Sequence, residues 1–76
     1  MTSYNFQLHW IMKTTWTGYP WPIQYLYEYW RHVFCKGTQD MFIHVIVTLL
    51  LSDDLWLSPD GQYIIVNYAK YAPLGV

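Results

Sequence analysis

Seventy-six residues with four basic and five acidic side chains, a net charge of −1 and 54% apolar composition fit one domain and leave no room for a second core. So few cations argue against an electrostatic hold on nucleic acid, which needs several phosphate-directed Lys or Arg. Five Trp and eight Tyr outweigh three Phe. Tyr and Trp have one face to dry and one end to keep wet, so the bias points to an interface. A domain this small buries only about 60% of the surface of its unfolded chain, which leaves large apolar side chains outside. A charge near zero adds little repulsion between copies, so a homo-oligomer or a subunit of a larger protein assembly is the expected state.

The single cysteine, Cys35, cannot form a disulfide within the chain, and a reducing, intracellular and cytoplasmic setting fits it. The opening residues Met-Thr-Ser-Tyr-Asn lack the basic start and apolar run of a secretory signal and read as a mature start. The longest uncharged apolar stretch, Met41 to Ser52, is bounded by Asp40 and by Asp53 and Asp54. It falls short of the ~20 residues a membrane-spanning helix needs.

Along the chain, Tyr4 to Lys13 alternates: Tyr4, Phe6, Leu8, Trp10 and Met12 on one side, Asn5, Gln7, His9, Ile11 and Lys13 on the other. Period two predicts a half-buried strand with His9 on its solvent face. Thr14 to Pro22 contains Gly18, Pro20 and Pro22 and reads as a stiff loop displaying Trp16, Tyr19 and Trp21. Pro22 suits the first position of a helix. From there Ile23, Leu26, Tyr27, Trp30, Val33 and Phe34 recur at helical spacing, with Gly37 as a left-handed stop and Lys36 against the negative end of the dipole.

Thr38 caps a second predicted helix, on which Asp40, His44, Thr48 and Ser52 make a narrow polar stripe at spacing four, with His44 as a hydrogen-bonded interior histidine. The β-branched run through Ile43, Val45, Ile46 and Val47 leaves a central strand as the competing reading. Leu55 to Ser58 and Tyr63 to Tyr68 flank Pro59-Asp60-Gly61 and form a hairpin over a type I turn, its last strand apolar on both faces. Ala72 to Val76 reads as an irregular tail. These elements predict a two-layer α+β domain over residues 1–76, in the order β-α-α-β-β with a mainly antiparallel sheet, or β-α-β-β-β on the strand reading.

No catalytic set stands out, and no cofactor is implied. Glu28, His32 and Cys35 could share one side of the first helix as an acid, a base and a thiol, but no Gly-rich oxyanion loop follows. His9, His32, His44 and Cys35 lack the paired short spacings of a zinc site, and Asp53 with Asp54 reads as a solvated turn. The candidate binding residues are aromatic. Trp16, Tyr19 and Trp21 could stack a planar, nucleotide-like small molecule or grip a Pro-rich peptide. Tyr25, Tyr29 and His32, with Lys36, widen the apolar face of the first helix and suggest docking through it. A non-catalytic interaction protein is the leading expectation, and a small-molecule binder the alternative.

Overall fold

The computed structural model describes residues 4–71, so the expected tail at Ala72 to Val76 and the opening Met-Thr-Ser lie outside the described residues. The elements are α1 (Tyr4–Thr15), β1 (Trp21–Pro22), α2 (Ile23–Val33), α3 (Gln39–Leu51), β2 (Leu55–Leu57), β3 (Tyr63–Val66) and α4 (Tyr68–Tyr71). The strands form one antiparallel sheet in the order β1-β3-β2, with Trp21 opposite Ile64 and Leu55 opposite Val66. This is the α+β domain with a small antiparallel sheet that the patterning predicts. The first element differs.

Tyr4 to Lys13 is helix, and the order is therefore α-β-α-α-β-β-α rather than one opening on a strand. The residues α1 buries are Gln7, Ile11 and Thr15, four apart on a single helical stripe. Two of the three are polar, so the inward face does not register as apolar, while the accidental alternation of Tyr4 to Met12 imitates a strand. Propensity is divided, since Gln7, Leu8, Met12 and Lys13 lose little rotamer freedom in a helix while Tyr4, Phe6, Trp10 and Ile11 suit a strand as well. Thr15 is fully buried, and its hydroxyl donates back to the Ile11 carbonyl at 2.7 Å. Gln7 is less well provided for, because its Oε1 is buried without a hydrogen-bond partner. Replacing it by a similar-sized hydrocarbon, Gln7→Leu, should raise stability by about 1 kcal/mol. In a thermal melt that is a rise of about 4–8 °C; a fall would mean that the amide is satisfied by water.

Pro22 sits one residue outside α2, as its N-cap, with φ −59° and ψ 127°. It pairs with Tyr63 from the edge strand β1, where a missing N–H is tolerated. Leu26 and Trp30 are the buried residues of α2, and the helix closes at Val33 with the Phe34 N–H donating to the Trp30 carbonyl at 2.8 Å. Gly37 does not act as the expected left-handed stop: the positive-φ glycines are Gly18 and Gly61. It is there for space. A Cβ on Gly37 would lie 2.2 Å from Cη2 and 2.6 Å from Cζ3 of the fully buried Trp30 ring.

The ambiguous middle segment is helix, as Thr38 and the polar spacing indicate. Thr38 is extended at φ −104°, and its Oγ1 accepts from the Met41 N–H at 3.3 Å. Phe42, Val45, Ile46 and Leu49 form its buried face. His44 is exposed rather than interior, its ring 5.3 Å from that of Tyr4, whose hydroxyl pairs with Thr48 Oγ1. The helix ends with Asp53 at φ 62°, its N–H donating to Leu50 O and that of Asp54 to Leu49 O. This is a Schellman closure in which an aspartate takes the position glycine usually fills. Asn67 locks the turn by donating from Nδ2 to Asp53 O at 2.8 Å.

The hairpin turn follows its sequence closely. Gly61 lies at φ 74° with its N–H on Ser58 O, and the Ser58 N–H reaches Tyr63 O. Asp60 holds this loop by accepting from the Ser58 hydroxyl and the Gln62 N–H, which together lower its carboxyl pKa below the usual value. The strand face bearing Leu55, Ile64 and Val66 is buried toward α1 and α3. The opposite face is not buried as its apolar composition suggests: Tyr63 and Trp56 are exposed and Ile65 half-buried, and the strand stops at Val66. A one-sided sheet is the ordinary antiparallel outcome. Leu26, Trp30, Phe42, Leu49, Ile64 and their neighbours make one continuous core between helices and sheet.

Candidate functional site

The two groups of aromatic residues expected to bind are held differently. Trp16 follows the last turn of α1 and meets Tyr68 edge-on, with ring centroids 4.9 Å apart. Trp21 belongs to β1. It is half-buried, donates from Nε1 to Thr17 Oγ1 at 3.1 Å and tilts against Tyr25 at 5.8 Å. Tyr19 stands between them in sequence, 74% exposed. Trp16 and Trp21 thus serve separate surfaces. Trp21 leads into α2, and Trp16 lines a groove on α1.

The α2 surface is a ridge. Tyr25, Tyr29 and Val33 follow one another at spacing four on the flank of the helix, 60%, 45% and 45% exposed. Helix α1 extends the ridge, with the Trp10 ring set edge-on to Tyr29 at 5.3 Å and to Phe34 at 5.5 Å. Phe6 meets Phe34 at 6.1 Å and is itself 53% exposed. The rings therefore run in contact from Phe6 through Phe34 and Trp10 to Tyr29. Phe34 also touches buried Trp30, which anchors this outer layer to the core. His32 is exposed beside the ridge, and Glu28, one turn earlier on the same flank, is exposed and within weak hydrogen-bond reach of Gln24 at 3.5 Å.

Spacing along α2 alone reveals Tyr25 and Tyr29. Phe6 and Trp10 join them only because α1 is a helix packed alongside; as strand residues they would face the core. With four side chains each leaving about 100 Å² outside, the ridge falls within the 300–600 Å² of the largest apolar patch on a typical monomer.

Away from the ridge, a groove of about 630 Å³ lies between α1 and the end of α3. Leu8 and Met12, four apart on α1, line it with Trp16 just past the helix and Leu49 of α3; His9 and Lys13, also four apart, and Asp54 are its polar members. Asp54 is engaged, since Lys70 Nζ bridges Asp54 Oδ1 at 2.9 Å and Ser52 O at 2.7 Å. Lys13 makes no ion pair among the described residues. A smaller hollow of about 340 Å³ lies between Ile23, Tyr27, Phe42, Ile43 and Tyr63.

Searched against models of known protein families, curated proteins and solved structures, the chain matches none.

The remaining chemistry-bearing residues are dispersed. Cys35 is exposed and lies beyond the end of α2, so the helical spacing that would align it with Glu28 and His32 does not continue to it. Among the described residues no three His, Cys, Asp or Glu side chains come together as a metal site. Among the described residues, too, no helix is long and apolar enough to cross a membrane.

Proposed function

We propose that this chain is a non-catalytic interaction module that associates with a second copy of itself through the ridge of Phe6, Tyr25, Tyr29 and Val33. The observation that carries this reading is the contact chain of rings that remains half exposed along α1 and α2. Interface cores are enriched in Tyr, Trp and Phe and depleted of charge, and rigid rings lose little entropy when a partner covers them. A standard interface covers about 800 Å² on each partner, so the ridge supplies a centre and the polar residues around it, His32 and Lys36 among them, supply a rim. The exposed thiol of Cys35 suits a reducing compartment, which supports a cytoplasmic setting for this module.

The reading is tested by solution mass, from light scattering across a dilution series. The parent chain is expected to run as a multiple of 9.2 kDa. Tyr25→Ser combined with Tyr29→Ser should weaken association by about thirtyfold or more, the effect of losing a hot spot worth ~2 kcal/mol. Tyr19→Ser, which is more exposed but off the ridge, should leave the mass unchanged. A parent that stays monomeric at the highest attainable concentration, or a double variant as associated as the parent, would overturn the self-associating form. Recovery of a monomeric chain in a fixed ratio with another protein would instead make it an accessory subunit.

A further inference from the structure

We infer that the groove between α1 and the α3–β2 turn binds a small planar aromatic molecule carrying one negative charge. The inference is independent of association through the ridge, because the groove shares no residue with it. The groove is shallow and open to solvent, and its volume of about 630 Å³ is enough to seat one face of a small planar ring. One side of α1 builds it in two parallel rails. Leu8 and Met12, continued by Trp16 just past the helix end, form the apolar rail, and with Leu49 opposite they offer a flat ring a hydrocarbon floor, a polarisable sulfur and an indole braced edge-on by Tyr68. His9 and Lys13, one residue further round, form the polar rail at the same spacing.

The charges decide the ligand class. Asp54 is neutralised by Lys70 and hydrogen-bonded by Ser52, so the acid in the groove is already answered. Lys13 is exposed and makes no ion pair among the described residues, so its charge is the one the groove presents. An anionic group on the ring's edge meets Lys13, with the exposed His9 a turn earlier as a hydrogen-bonding neighbour. A nucleoside triphosphate does not suit the site, since its several negative charges would face a single lysine beside a carboxylate. A bare aromatic cation does not suit it either, because the available carboxylate is taken.

The test uses the whole chain and naphthalene-2-sulfonate as probe, with 2-naphthylmethylammonium as its charge-reversed counterpart, followed by NMR. The sulfonate should shift the Met12 methyl and the Trp16 indole resonances in one saturable step, and the ammonium should bind more weakly. Lys13→Glu should weaken sulfonate binding by about tenfold and narrow or reverse the preference between the two ions. Lys13→Gln, which keeps a neutral helix former at the site, should lie between and serves if the charge reversal disturbs folding. Equal affinity for both ions, an unchanged affinity in both Lys13 variants, or shifts confined to Tyr25 and Tyr29 would each overturn the inference. So would the absence of any saturable shift.

Discussion

Gly37→Ala should destabilise this chain by about 1–3 kcal/mol, and Trp30→Phe in the same molecule should return most of that loss. Glycine-to-alanine changes outside helices are commonly mild or stabilising when the backbone angles permit a side chain. Gly37 is not among the residues with positive φ, so the cost comes from contact, chiefly with the Trp30 ring and secondarily with the Phe34 carbonyl oxygen 3.0 Å from the added Cβ. The new methyl would occupy space already taken by Cη2 and Cζ3 of Trp30, a ring with no exposed surface, wedged against Phe34 and Phe42. A buried ring in such packing cannot swing aside. Phenylalanine lacks the outer atoms that clash, and it also removes the Trp30 Nε1 donor, which is buried without a partner.

The measurement is a double-mutant cycle of thermal or urea unfolding. The two changes together should cost at least about 1 kcal/mol less than the sum of the single effects, within the ordinary range of coupling between touching residues. Strict additivity would mean that the loop at Gly37 moves away from the ring and that the contact is not limiting. A domain of this length has only about 4–11 kcal/mol in total, so even the single change at Gly37 should move the melting temperature visibly.

Ile64→Ala is expected to cost about 2–5 kcal/mol, among the largest effects available in the sheet. Ile64 has no exposed surface and sits in the central strand, opposite Trp21 on one side and Leu57 on the other. Its removal opens a cavity where both strand pairs and the helical layer converge, and it loosens the two-residue strand that delivers Trp21 to Tyr25. Trp56→Ala, on the opposite face of the same sheet and half exposed, should cost under about 1 kcal/mol in dilute solution despite its larger side chain. Urea unfolding of the two variants separates the faces. Equal losses would show that the outer face is covered in solution, which would move the docking surface from the helices to the sheet.

What was legible in the chain was what spacing and punctuation determine locally. Leu26 and Trp30 set the inward face of α2, and Tyr25 and Tyr29 mark its flank whatever packs on it, because side-chain direction on a helix follows from 3.6 residues per turn. Thr38 starts α3 through its own side-chain oxygen, and Pro59-Asp60-Gly61 makes its turn through bonds within five residues. For α3 the polar spacing outweighed strong β character, since a helix could bury Phe42, Val45, Ile46 and Leu49 on one face.

The tertiary structure decided the rest. Tyr4 to Met12 alternates as a strand does and its propensities are divided, and the choice fell to the helix that could bury Gln7, Ile11 and Thr15 against its neighbours. A polar residue gives no sign in the sequence that it will face inward, since its burial is settled by what lies opposite. Gly37 was readable as a helix stop, but its reason is the Trp30 ring, seven residues earlier in the chain and next to it in space. Both candidate surfaces depend on that same first helix: Phe6 and Trp10 reach the ridge, and Leu8, Met12 and Trp16 align in the groove, only at helical spacing. Composition by itself determined that this protein would leave aromatic surface uncovered, because a chain this short cannot enclose so many rings. Which rings stay outside, and in what order they touch, was decided by helix packing, because the sites nearest the core are filled by the side chains that fit there.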